Sequence, residues 1–382
     1  MQNLSLTQLL ELMVRRRGSD LHITTGSAPR IRVDGDLQPV EDCHPLTAEA
    51  ARELIYSRMT AEQRARFESA LELDFSLEVT GLSRFRVNVF DQRSGIAGVF
   101  RAVPYEIRPF ESLGLPPVVD ALCEKPRGLV LVTGPTGSGK STTLAAMIDR
   151  INRTRHKHIV TIEDPIEFTH RHKNCLVNQR EIGSNTHGFA EALRTALRQD
   201  PDVVLVGELR DLETIESALH IAETGHLTFA TLHTNTAPST VTRIVDVFPA
   251  MQQPQIRTQL SQVLEGVLCQ QLLPRASGEG RVMALEVMLP NSAIRNLIRT
   301  DKIHSIYSVM STARGEEMQT LNQSLAELYL SGEIDLPNAL RCSSDPRELR
   351  EMIGARSTAP LSTVAAAETP AGGGGLLAGT LK

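Results

Sequence analysis

Gly134-Pro135-Thr136-Gly137-Ser138-Gly139-Lys140-Ser141 satisfies the phosphate-loop pattern G-x-x-x-x-G-K-[ST] at every fixed position. The pattern carries its mechanism only between a buried strand and a helix, and both flank it here. Leu129-Val130-Leu131-Val132-Thr133 is a continuous apolar run rich in branched residues, as in a parallel strand covered on both faces. Residues 141–152 read as a helix with Leu144, Ile148 and Ile151 along one side. Gly134, Gly137 and Gly139 let the backbone turn so that successive N–H groups and the helix N-terminus face phosphate oxygens. The expected ligands are ATP and Mg²⁺, with Thr136 and Ser138 in the loop. Lys140 brings a point charge to the β- and γ-phosphates, Ser141 ligates Mg²⁺, and Thr142 adds a phosphate contact.

Two further apolar runs end in acid. Ile159-Val160-Thr161-Ile162 runs into Glu163-Asp164-Pro165, and Val203-Val204-Leu205-Val206 runs into Gly207-Glu208. Carboxylates at the carboxyl ends of parallel strands stand where ligands bind in an open α/β sheet. Glu208 is the expected catalytic carboxylate, polarising the attacking water, with Glu163 in support and both reaching Mg²⁺ through water. Gly207 occupies the slot where such a strand generally ends in Asp, which moves metal contact onto Ser141 and the water-mediated carboxylates. Asp164 and Asp211 read instead as caps of the helices that follow. A third strand is bracketed by His226 and His233, which lie seven apart and so point to opposite faces. Each is either a structural strand-end histidine or a neutral donor to the γ-phosphate.

Upstream the periodicity changes. Ser5-Leu6-Thr7-Gln8 is a capping box opening a short amphipathic helix that stops at Gly18. Strands follow at residues 21–23 and 31–33, the second turning through Asp34-Gly35, and then helices at 47–59 and 60–71. Leu71, Leu73, Phe75, Leu77 and Val79 alternate strictly, as do Phe85, Val87 and Val89, predicting half-buried antiparallel strands. Alternation collects Arg84, Arg86 and Asn88 on the face opposite Phe85, and a third strand at 95–103 carries Arg101. By itself such a row is a solvated basic face.

Proline clusters around residues 104–117, dividing an α+β unit at 1–105 and a linker at 106–118 from an α/β unit at 119–356. Helical segments are expected to dominate after Pro249. Residues 357–382 are Ala, Thr, Pro and Gly, with too little apolar content to fold alone. The chain of 382 residues is long enough for two such cores. Its net charge of -5 and absence of Trp argue against a main job of holding nucleic acid. The five cysteines contain no C-x-x-C pair, which points to reduced thiols and a cytoplasmic setting. No apolar run approaches the ~18 to 20 residues of a membrane span, so any membrane association is expected to be indirect.

Four boxes in order carry a resemblance: the phosphate loop, Ile162-Glu163-Asp164-Pro165-Ile166-Glu167, Gly207-Glu208-Leu209-Arg210-Asp211, and the histidine box at 225–234. Together they resemble the secretion ATPase superfamily of type II secretion and type IV pilus motors. Ala293-Ile294-Arg295-Asn296-Leu297-Ile298-Arg299 resembles the signature of its pilus-retraction branch, with Thr300 where that branch usually has Glu. The apparent lack of a long extra N-terminal domain and of a tetracysteine zinc element fits retraction better than assembly.

The resemblance implies a RecA-like P-loop ATPase domain preceded by a small PAS-like domain. It also implies a homohexameric motor for pilus retraction and twitching motility, at the cytoplasmic, inner-membrane base of the pilus machine. Its implied partners are an inner-membrane platform protein and an accessory retraction ATPase. Arg84, Arg86 and Arg101 then become the cations that the N-terminal domain supplies to the γ-phosphate, arriving on domain closure. The alternatives are a pilus-assembly or type II secretion ATPase, the accessory retraction ATPase itself, a nucleic-acid translocase, and a nucleotide-gated scaffold without turnover. Residues 293–299 taken alone form an amphipathic helix with Ile294, Leu297 and Ile298 inward and Arg295 and Arg299 outward.

Overall fold

Capping boxes start two of the first three helices. Ser5 Oγ accepts from the Gln8 N–H while Gln8 Oε1 accepts from the Ser5 N–H, and Thr60 and Gln63 repeat the exchange. The computed structural model describes residues 4–33, 35–41, 43–103 and 107–356. The turn residue Asp34, residues 104–106 at the expected boundary, and the expected tail at 357–382 lie outside it.

The first hundred residues form α1 (Leu6–Arg15), β1 (Asp20–Ile23), β2 (Arg30–Val33), β3 (Asp36–Pro39), α2 (Ala48–Tyr56), α3 (Ala61–Ala70), β4 (Glu72–Val79), β5 (Ser83–Gln92) and β6 (Gly95–Val103). Their sheet has the order β3-β2-β1-β6-β5-β4. Phe85, Val87 and Val89 of β5 are fully buried against α1 and α2 in one apolar core, so the opposite face of β5 turns Arg84 and Arg86 outward.

The remainder continues as α4 (Pro117–Cys123), β7 (Gly128–Thr133), α5 (Lys140–Thr154), β8 (His158–Glu163), β9 (Leu176–Glu181), α6 (Phe189–Ala196), β10 (Val203–Val206), α7 (Leu212–Glu223), β11 (Leu227–Leu232), α8 (Ala237–Asp246) and α9 (Gln253–Val263). It ends with β12 (Leu264–Pro274), β13 (Arg281–Met288), α10 (Ser292–Arg299), α11 (Ile306–Thr312), α12 (Leu321–Leu330), α13 (Leu336–Cys342) and α14 (Pro346–Arg356). The second sheet has the order β13-β12-β7-β11-β10-β8-β9 and is parallel except for the last pairing, β12 with β13. Every residue of β7 is buried, and its side chains serve two cores in turn. Leu129 and Leu131 face the layer containing α6 to α10, while Val130 and Val132 face α4 and α5. That two-sided cover explains why β7 reads as a continuous apolar run.

After Pro249 the expected helical dominance is interrupted by β12 and β13. Leu and Gln in this stretch favour helix, but pairing with β7 overrides that local preference. Arg295 is also not outward. It lies along the end of α9, donating to the carbonyls of Ser261 (2.7 Å) and Gln262 (3.0 Å) and pairing with Glu265 at 2.9 Å. The unpaired carbonyls of a helix C-terminus attract a cation there. Arg299 is exposed as expected.

Candidate nucleotide site

The phosphate loop is held from the side by β12. A Cβ added at Gly134, where φ is +139°, would stand 2.2 Å from the Gln270 carbonyl oxygen, so only glycine fits. Gln270 Nε2 donates to the Ser138 carbonyl at 2.6 Å, bracing the loop from a residue that carries no motif. Lys140 opens α5 and donates its Nζ to the carbonyls of Gly134 (2.8 Å) and Pro135 (3.2 Å). Desolvation lowers its pKa while the Glu208 charge opposes the shift, so the ammonium is poised for an anion.

Glu208 follows Gly207 at the end of β10. A Cβ at Gly207 would approach the Glu163 Cα to 3.2 Å, which accounts for glycine in the slot where an Asp was anticipated. The Glu208 carboxylate lies 2.8 Å from Arg210 Nη2 and 3.3 Å from His233 Nε2, and His233 Nδ1 is 3.5 Å from Lys140 Nζ. Burial pushes the Glu208 pKa up, but the hydrogen bond and charge of Arg210, with His233, outweigh it and leave the carboxyl below the ordinary range. Glu163, at the end of β8, behaves oppositely. Desolvation pushes it up to about 7 against hydrogen bonds from Thr161 Oγ1 (2.7 Å) and Gln179 Nε2 (3.2 Å). Two carboxylates with pKa values driven apart are the usual ground for separate proton roles.

One cleft of about 690 Å³ is lined by Thr136, Gly137, Gly139, Lys140, Ser141, Thr142, Glu163, Glu208 and His233, with Arg86 and Arg101 facing them from the N-terminal sheet. Arg86 and Arg101 are cross-strand partners, and Arg101 Nε is 2.7 Å from Asp20 Oδ1. The volume suits a nucleotide. The positive-φ glycines beside Lys140 suit phosphate, and the Ser141 hydroxyl with nearby carboxylates suits a hard cation that keeps water ligands.

Two expected participants stand elsewhere. Arg84 is paired with Glu181 at 2.8 Å and does not line the cleft. His226 lies at the opposite end of β11 from His233, where its Nδ1 is 3.1 Å from the Ile221 carbonyl and 3.2 Å from Thr224 Oγ1, closing the end of α7. Opposite ends of a strand of this length cannot serve one phosphate. Asp211 caps α7, accepting from the Thr214 N–H at 2.9 Å, whereas Asp164 precedes no helix, since β8 runs on to β9, and it lines the cleft instead. Arg210, Arg281, Phe168, Phe189 and Leu272 also line the cleft. Of these only Arg210 lay within a motif, and nothing local marked the others.

A family model described as Type II/IV secretion system protein matches residues 2–341. The chain belongs to this family. It is 52% identical over 336 residues to the Pseudomonas aeruginosa type IV pilus retraction ATPase PilT, covering 88% of this chain and 97% of that one. It is 49% identical over 331 residues to a Neisseria gonorrhoeae twitching motility protein, covering 85% and 88% respectively. Among solved structures, the pilus retraction motor PilT with bound ADP matches with TM-score 0.86 at 51% identity, covering 91% of this chain and all of that one. The matched span contains all four sequence boxes. Among the described residues, no helix is long and apolar enough to cross a membrane.

Proposed function

We propose that this protein is an ATP-hydrolysing hexameric motor that powers type IV pilus retraction and thereby twitching motility. The observation that carries the reading is the meeting of phosphate loop, Glu208, His233 and the N-terminal arginines in one cleft. The identity to PilT supports the direction of force. Residues 1–105 and 119–356 form its two units, joined at 106–118. It works at the cytoplasmic base of the pilus machine with an inner-membrane platform protein and an accessory retraction ATPase.

Lys140 exchanges the loop carbonyls of Gly134 and Pro135 for phosphate oxygens when a nucleotide binds, gaining a stronger charge-assisted partner. Ser141 and, through water, Glu163 and Glu208 would hold Mg²⁺, which when bound would supply charge neutralisation to the phosphates. Glu208, kept ionised at neutral pH, orients the attacking water and accepts its proton, with His233 bridging the carboxylate to the lysine. Arg86 and Arg101 offset charge developing on the transferred phosphoryl, and because they come from the other unit, their arrival couples chemistry to domain movement.

The test is steady-state hydrolysis and fluorescent-ADP binding by purified Glu208→Gln. The reading predicts turnover slowed by about 100-fold or more, on the order found when a catalytic base is lost, with ADP affinity held within about 2-fold. Unchanged hydrolysis would remove Glu208 from this role.

A further inference from the structure

We propose that Glu181 is the docking point that positions the N-terminal sheet over the nucleotide site, and that Arg84 is its latch and not a phosphate ligand. The proposal rests on the ATPase reading above and assigns that site a positioning element.

Glu181 is the last residue of β9 and only 3% exposed, and the β8–β9 ladder sets it directly beside Glu163. A buried carboxylate must have its oxygens satisfied. Here the four donors come equally from both sides of the cleft. Arg84 Nη2 of β5 donates to Oε2 at 2.8 Å and Ser76 Oγ of β4 donates to Oε1, both from the N-terminal sheet. From the ATPase side, the Ile166 N–H donates to Oε2 at 3.0 Å and Ser184 Oγ to Oε1 at 3.1 Å.

The consequence for the cleft follows from strand geometry. Arg84 and Arg86 share one face of β5 two residues apart, about 7 Å along the strand, and Arg86 stands opposite Arg101 on β6. Holding Arg84 at Glu181 therefore fixes where Arg86 and Arg101 can reach. The same carboxylate holds Ile166 N–H, and so anchors the turn after Glu163 whose Asp164 and Pro165 line the cleft. One buried group thus registers both the arginines and the Glu163 turn against the phosphate loop. Opening the cleft strips Glu181 of half its donors and leaves a buried charge underpaired, so closed and open arrangements are separated by a discrete step. Nucleotide binding at Lys140 needs none of this, whereas transfer of the phosphoryl group does.

The experiment measures turnover, KM and fluorescent-ADP affinity for full-length Glu181→Gln, Arg84→Met, the double variant, and the milder Ser76→Ala, with thermal unfolding alongside. The latch predicts turnover about 10-fold slower in each charged-pair single and no slower in the double, because both remove one interaction. It also predicts ADP affinity within about 2-fold of wild type, and an intermediate loss of roughly 3-fold for Ser76→Ala. If Glu181→Gln fails to fold, Ser76→Ala decides, because Ser76 touches Glu181 and does not line the cleft: slowed turnover at unchanged ADP affinity supports the latch, and full activity beside a slow Arg84→Met overturns it. Multiplying effects, or an Arg84→Met loss with full activity in Glu181→Gln, would overturn the latch and return Arg84 to the phosphates. Failure of the ATPase reading looks different: wild type itself would not hydrolyse ATP, whatever residues 84 and 181 are.

Discussion

Arg210 grips Glu208, with Nη2 2.8 Å from the carboxylate, and this pair sets the acid side of the enzyme's pH dependence. The guanidinium is the main influence holding the Glu208 pKa down against its burial. A base must be ionised to accept a proton, so activity falls as pH drops through the Glu208 pKa. Arg210→Gln frees that pKa to rise, and the acid limb of kcat/KM moves to higher pH. The wild-type limb lies below pH 4.5, so a kcat/KM profile from about pH 3.5 to 8 checks this; an unmoved limb would separate the pair from catalysis.

Glu163 gives a stability prediction of opposite sign. Its pKa is raised from 4.5 to about 7, so the folded protein holds a proton that the unfolded chain releases. Stability contributed by this group is complete below about pH 4.5 and is lost as pH climbs toward 7. Glu163→Gln stays neutral throughout, and its advantage over wild type should grow between about pH 5 and 8, reaching roughly 3 kcal/mol at the upper end. Urea unfolding of both proteins across that range is the measurement. A pH-independent difference would mean that Glu163 is ionised in the fold.

Gly134→Ala tests the clamp of β12 on the phosphate loop. The new methyl meets the Gln270 carbonyl at 2.2 Å and Ser138 Oγ at 2.7 Å, and φ of +139° is unfavourable to any side chain. A loss of about 2 to 4 kcal/mol in unfolding free energy is expected, together with weaker ADP binding. Wild-type behaviour in both would show that the loop and β12 move apart freely.

The parts of the site read from sequence are those made by neighbours in the chain. The phosphate loop lies between its own strand and helix, Glu163 and Glu208 end their own strands, and the arginine row of β5 follows from alternation within one strand. What escaped are contacts set by sheet order. Gln270 reaches Ser138 across 132 positions, and Arg84 reaches Glu181 across 97. Neither can be foreseen until β12 is known to flank β7 and the N-terminal sheet to lie beside β9. The histidine pair shows the same limit. Spacing of seven shows that His226 and His233 differ, but the direction of β11 decides that His233 meets Glu208 while His226 closes a helix.

The claim of retraction is tested in the host cell. Lys140→Ala removes the phosphate-facing ammonium without touching the unit interface at Glu181, and surface pili are then counted by electron microscopy beside a twitching-zone assay. Abundant pili with twitching abolished is the predicted result, because filaments still grow and are no longer pulled in. Cells without pili would contradict the account, since the motor would then be the one that builds them.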